Sequence, residues 1–178
     1  MARESPGLIT INRAPVLTLW AAVVAERLGF DREEALTMGR VVAGLNAYAK
    51  GKALGIFHPK PAEVKEKCKA LKHGEQLSVN LLHRAVPVLR TSEGLRALSK
   101  DRPVAPESVE RYLQSKFGEG YGPARRAMTT LAKAFTPADL DERAHSLYED
   151  FRPEVPAGTK GWGAAGILDL ERIVDLGK

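Results

Sequence analysis

The chain has few of the features of an exported, disulfide-linked or membrane protein. Its single cysteine, Cys68, excludes an internal disulfide and a zinc site built from several cysteines. There is no stretch of about 20 apolar residues, and residues 1–11 lack the apolar run of a signal peptide. We therefore expect a cytoplasmic protein with no membrane partner.

Motifs for catalysis and cofactor binding are also missing. There is no GxSxG turn, no SxxK pair and no HExxH sequence, and His58, His73, His83 and His145 show no i, i+4 pairing. Cys68 lies on the apolar line of a predicted helix, where burial raises the pKa of a thiol. We expect no metal, no cofactor and no catalytic residue, and a binding protein rather than an enzyme.

What the 178 residues do contain is enough apolar material for a core and an uneven distribution of charge. The hydrophobic fraction of 44% excludes disorder for most of the chain. The net charge of +5 comes from the middle, because residues 51–100 hold ten basic side chains and four acidic ones. A local excess of this kind attracts polyanions, of which nucleic acid is the commonest in a cell.

Prolines, glycines and capping residues predict a mainly helical chain. The predicted helices cover 15–28 and 31–49, begin at Pro61, cover 106–117, begin at Pro123, and cover 137–151 and 169–176. The helix at 15–28 is apolar on nearly every side, which is typical of a central core helix or of half a dimer interface. We expect loops at 50–60 and around Trp162.

Residues 75–91 change to an alternating pattern that predicts one β-hairpin. Leu77, Val79 and Leu81 alternate with polar residues, and Val86 and Val88 resume the alternation after His83 and Arg84. Pro87 lies between the last two and cannot donate a ladder hydrogen bond, so the second strand is expected at an edge. Three helices followed by a hairpin is the element order of a winged helix.

We therefore predict a mainly α fold with one β-hairpin. A winged-helix-like part, residues 1–100, packs on a helical part with a glycine-rich tail, residues 101–178. We expect homo-oligomers that form through the helix at 15–28.

Three segments carry a family resemblance: INRAPVLTLWAAVVAERLG, VERYLQSKFG and GWGAAGILDLERI. They are similar to a family of small, uncharacterised bacterial proteins with no assigned function, and the similarity covers most of the chain. The resemblance implies no activity, cofactor or site residue, so the functional hypotheses rest on the residues themselves.

The leading hypothesis is nucleic-acid binding, to DNA rather than RNA. The predicted phosphate contacts lie on the third helix, in the loop before it and at the hairpin tip: Lys52, Lys60, Lys65, Lys67, Lys69, Lys72 and Arg84. Lysines mainly contact phosphates, whereas Arg, Asn and Gln read base edges. The third helix has none of these three, so we expect weak sequence specificity.

Two alternatives stay open. Lysines mixed with glutamates are typical of a solvated helix face, which fits a non-enzymatic protein-interaction or assembly module. Alternatively, Gly120, Gly122, Arg125 and Arg126 surround a predicted helix start and form a possible anion site. A small enzyme acting on an anionic substrate there would need a cleft in which the two arginines meet a histidine or a carboxylate.

Overall fold

The computed structural model describes residues 7–49, 61–154 and 165–178, and the predicted loops at 50–60 and around Trp162 lie outside these ranges. The helices are α1 (Arg13–Leu28), α2 (Arg32–Ala49), α3 (Pro61–Ala70), α4 (Pro106–Phe117), α5 (Tyr121–Lys133), α6 (Pro137–Phe151) and α7 (Leu170–Asp175), with a 3₁₀ turn at Gly118–Gly120. The strands are β1 (Leu8–Ile11), β2 (Gln76–Leu81), β3 (Arg84–Thr91), β4 (Gly94–Ser99), β5 (Arg102–Pro103) and β6 (Gly166–Asp169).

Helix ends follow the capping residues of the sequence. In a reciprocal pair at the start of α2, the Asp31 carboxylate accepts the Glu34 N–H at 2.8 Å, and the Glu34 carboxylate accepts the Asp31 N–H at 3.2 Å. Gly29 ends α1 with a φ of 114°, a left-handed conformation that favours glycine. Thr136 and Asp169 cap α6 and α7 through their side chains. These predicted boundaries are confirmed.

α1 is the central helix of the fold. Its side chains from Pro15 to Ala25 are buried, and α2, α4, α5 and α6 pack around it. The Trp20 indole donates to the carbonyl of Ala144 at 2.9 Å and meets the Phe151 ring edge-on at 5.3 Å. The core position predicted as one explanation for this apolar helix is confirmed. Residues 15–28 offer no exposed apolar surface for the predicted dimer contact, because other parts of the same chain already cover their apolar side chains.

The β structure is larger than the single predicted hairpin, so the predicted fold class is wrong. β2, β3, β4 and β5 form an antiparallel sheet in that order, and β1 pairs with β6 in a second one. β2 and β3 do pair, with Leu77 opposite Val88. A winged helix would end at this hairpin, whereas here two strands extend the sheet and α2 packs against it. The fold combines helices with two antiparallel sheets and is not a winged helix.

The prediction that Pro87 places its strand at an edge is also wrong, since β3 lies between β2 and β4. The turn at Leu82–His83 sets the alternation of hydrogen-bonded pairs so that Pro87, opposite Ser78, turns its nitrogen away from β2. That nitrogen faces the side of β4, where pairing stops at Val88 opposite Ala97. The proline is accommodated because the β3–β4 ladder ends one residue before it.

Side chains of α2 complete the outer edge of β4. The second carboxylate oxygen of Glu34 accepts the N–H of Leu95 at 2.9 Å, and the Thr37 hydroxyl accepts the N–H of Ala97 at 3.0 Å. Both strand N–H groups would otherwise be buried without a partner, which is costly. The start of α2 therefore fixes the sheet against the helices.

Buried side chains from residues 1–100 and 101–178 belong to one continuous cluster. Within the described ranges, none of the helices combines the length and apolarity that crossing a bilayer requires.

Candidate functional site

The lysine side chains that the structure describes on α3 are exposed, but they lie beside an exposed glutamate. Lys67, Lys69 and, just beyond the helix, Lys72 are exposed. Positions two apart in a helix point roughly 200° apart, so Lys67 and Lys69 lie on opposite flanks of the exposed Glu66. The described part of α3 is therefore not a single basic face. Lys52, Lys60 and the side chain of Lys65 lie outside what the structure describes.

Three arginines of the basic middle segment make internal hydrogen bonds. Arg84, predicted at an exposed hairpin tip, is instead 9% exposed, and it donates to the Asn46 side-chain oxygen at 3.0 Å. Arg90 donates to a backbone carbonyl of α3. Arg96 is 4% exposed and donates to a carbonyl of β4 and to a carboxylate of α2. Part of the excess positive charge of residues 51–100 therefore makes hydrogen bonds within the protein that stabilise the fold.

A groove of about 550 Å³ runs along one side of α5, and we call it the α5 groove. Its volume lies within the range of small-molecule sites. It is lined by Glu26, Arg32, Tyr121, Gly122, Arg125, Arg126, Thr129, Thr130 and Lys133. Four of these side chains are cationic and one is anionic.

Arg125 is held by a carboxylate of the central helix. One guanidinium nitrogen, Nη2, contacts both carboxylate oxygens of Glu26, at 2.9 and 3.0 Å. About a third of each side chain is exposed, so the pair lies at the groove surface. A guanidinium carries five N–H groups. Among the described residues, the donors on Nε and Nη1 of Arg125 have no hydrogen-bond partner, so they are available to a ligand.

Arg32 is held in a second network. Its Nη2 contacts a carboxylate oxygen of Glu110 at 2.7 Å, and the Tyr121 hydroxyl donates to the other oxygen at 2.8 Å. Burial and then the hydrogen bond to Glu110 raise the pKa of Tyr121, so its phenol is neutral at neutral pH. Two of the four groove cations are therefore neutralised by neighbouring carboxylates.

The other two cations, Arg126 and Lys133, are exposed, and neither side chain has an ion pair among the described residues. Gly122 makes room for Arg126: a Cβ at this position would lie 3.3 Å from Arg126 Nη1. The guanidinium thus folds back toward the start of α5, as helical side chains do.

Arg126 also borders a second groove, between α5 and α7. Its lining includes Glu171, Asp175 and Lys178, and the last two form an ion pair at 3.4 Å. This groove has as many acidic side chains as basic ones, so the α5 groove is the better place for an anion.

The predicted anion site is assembled in part. Gly122, Arg125 and Arg126 line the α5 groove, whereas Gly120 lies outside its lining. A Cβ at Gly120 would come within 2.6 Å of Ile9 on β1, so this glycine serves packing. Lys133 was missed although it lies two helical turns after Arg126, a spacing that places both on one face. Glu26 and Arg32 come from distant helices and left no signal in the sequence.

A second polar cluster joins the β2–β3 turn to α6. The rings of His83 and His145 meet edge-on at 5.6 Å, and His145 Nε2 lies 3.1 Å from a carboxylate oxygen of Glu149. Burial lowers the pKa of His145. The part of the chain that the structure describes contains no group of three or more His, Cys, Asp or Glu side chains arranged to hold a metal ion.

Cys68 is buried in α3, and burial raises the pKa of its thiol to about 11. The prediction that Cys68 is a core residue whose thiol pKa is raised by burial is confirmed.

Comparison with protein-family models gave no match, and neither did searches of curated proteins and of solved structures.

Proposed function

We propose that this protein binds a small phosphorylated ligand in the α5 groove. The observation that carries the proposal is the pair of cations, Arg126 and Lys133, that line the groove without a carboxylate partner among the described residues. Guanidinium and ammonium groups are the usual protein partners of phosphate.

The charge of the groove supports a dianion. Its four cations are opposed by Glu26 and Glu110, the acceptors of Arg125 and Arg32. This leaves a local excess of about two positive charges, which matches a phosphate monoester near neutral pH. Both carboxylates are engaged by guanidinium groups, so the groove supports binding rather than acid–base catalysis.

Titration calorimetry of the full chain with glucose 6-phosphate tests the proposal. Replacing Arg126 by Gln keeps a polar, hydrogen-bonding side chain but removes the positive charge. We expect affinity to fall about tenfold or more, because a hydrogen bond to a charged group contributes roughly 1.5–3 kcal/mol.

Arg102→Gln is the matched control, because Arg102 is exposed at the start of β5, outside the lining of the groove. It should leave the affinity unchanged. Equal losses in both variants would show a general charge effect, and an absence of binding to the wild type would reject the groove as a phosphate site.

Nucleic-acid binding is the second candidate. Lys67, Lys69 and Lys72 support it, because they are exposed and have no ion pair among the described residues. The triple change to Ala should weaken binding to duplex DNA of any sequence and flatten its salt dependence. Fluorescence anisotropy at two salt concentrations measures both effects, and identical titrations for the variant and the wild type would reject this candidate.

A further inference from the structure

The two unneutralised cations of the α5 groove stand far apart. Arg126 and Lys133 are seven residues apart on α5, so their backbone positions differ by about 10 Å along the helix axis. Both line the same groove. Because the guanidinium of Arg126 reaches back over Gly122, the first cation lies toward the start of the helix. A single phosphate at Arg126 is therefore too small to contact Lys133 as well.

The stretch between these cations presents acceptors rather than free cations. Thr129 and Thr130 use their hydroxyl hydrogens to donate to the carbonyls of Arg125 and Arg126, at 2.8 and 3.0 Å. Their oxygen lone pairs remain for a donor on a ligand. The Glu26 carboxylate, bonded to Arg125, adds further acceptor oxygens to the lining of the groove. The middle of the groove thus suits hydroxyl groups and disfavours an anion.

We propose that the ligand of the α5 groove is a bisphosphorylated sugar or polyol, with one phosphate at Arg126, the other at Lys133 and its hydroxyl groups between them. This inference rests on the proposed function and specifies the class of phosphorylated ligand. Two phosphates at opposite ends of a six-carbon sugar have a separation comparable to the helical spacing of the two cations.

Titrations with three probes distinguish the effect of the distance between two phosphate groups from the effect of total ligand charge. The probes are glucose 1,6-bisphosphate, glucose 6-phosphate and inorganic pyrophosphate. The bisphosphate should bind about tenfold more tightly than the monophosphate, because it gains a second charged contact. Pyrophosphate also has two phosphate groups, but they are adjacent and cannot reach both cations. It should bind more weakly than the bisphosphate.

Lys133→Ala identifies the second contact. It should reduce the affinity for the bisphosphate to about that for the monophosphate, and it should reduce the affinities for the monophosphate and pyrophosphate by much less, because they lose only the more distant attraction of the charge and no direct contact. Lys116→Ala, at an exposed position on α4, removes the same charge elsewhere and should change none of the three.

The outcomes distinguish this inference from the proposed function. Suppose that glucose 1,6-bisphosphate and glucose 6-phosphate bind with equal affinity and that Arg126→Gln weakens the binding of both. The groove then binds a single phosphate group, and only the bisphosphate inference fails. If pyrophosphate binds as tightly as the bisphosphate, charge alone decides, and the inference fails again. If no probe binds, the proposed function fails with it.

Discussion

Gly39 and Gly44 lie on the same helix, α2, but have different surroundings. A Cβ at Gly39 would come within 2.3 Å of the Thr18 carbonyl oxygen on α1, whereas nothing lies within 4 Å of a Cβ at Gly44. Gly39→Ala must push two helices apart, so we expect it to lower the free energy of unfolding by about 3 kcal/mol or more.

Gly44→Ala is the internal control for that substitution. It should raise the free energy of unfolding by up to about 1 kcal/mol, because alanine is the better helix former. Urea denaturation measures both variants. If the two substitutions had the same effect, close packing of α1 on α2 would not be the reason for glycine at position 39.

The lowered pKa of His145 predicts that the stability of the protein depends on pH. Burial lowers its pKa, Glu149 opposes this, and His83, Arg84 and Arg152 lower the pKa further. In the unfolded chain the pKa returns to its ordinary value of 6.5. The unfolded state therefore takes up the proton at a higher pH than the folded state does, so stability falls as the pH drops through about 6.5.

His145→Gln should remove that contribution. Urea denaturation at about pH 7.5 and about pH 5.5 compares the two proteins, and the wild type should lose more stability on acidification than the variant. An equal loss in both would show that other groups account for the pH dependence.

At the level of single residues, site residues that lie close together in the sequence could be predicted, whereas hydrogen-bond partners that lie far apart in the sequence could not. Gly122, Arg125 and Arg126 were predicted together because they flank one helix start. The internal roles of Arg84 and Arg96 depend on partners on α2, so the sequence indicated their charge but not their burial. The sequence therefore predicted more exposed positive charge in residues 51–100 than the fold contains.

At the level of elements, helices were predictable, whereas four of the six described strands were not. Proline, glycine and capping side chains mark the helix ends locally. β4 shows no alternation, because four consecutive residues, Leu95–Leu98, are buried, including Arg96, which bonds to α2. β1 and β6 pair across nearly the whole chain, with Ile9 opposite Leu168, and short segments give no sign of such a partner.

The link between α2 and β4 is open to a direct test. The Thr37 hydroxyl is the acceptor for the N–H of Ala97, and both residues are fully buried. Thr37→Val keeps the shape but leaves that N–H without a partner, which should cost about 1–3 kcal/mol of stability. Amide hydrogen exchange should also become faster at Ala97.

Thr37→Ser is the control for this change, since it keeps the acceptor and loses only a methyl group. It should preserve the slow exchange of the Ala97 amide. Equal exchange rates in the Val and Ser variants would show that the hydroxyl does not secure the strand.

At the level of the whole molecule, α1 joins the parts before and after residue 100. It packs against α2 from the first part and against α5 and α6 from the second, and the α5 groove likewise combines Glu26 and Arg32 with residues of α5. Neither part could bury α1 alone, and neither could form the groove alone. Folding and ligand binding should therefore depend on the same packing.

We accordingly expect the chain to unfold in one cooperative transition. In a Trp162→Phe variant, fluorescence reports on Trp20, which is fully buried against Phe151 of α6, while circular dichroism reports on all helices. Because residues from both parts surround Trp20, the two signals should give the same urea midpoint and the same slope. A fragment of residues 1–100 should lack this transition, since it would expose the faces of α1 that α5 and α6 cover. Separate midpoints for the two signals, or a folded fragment, would show two independent domains.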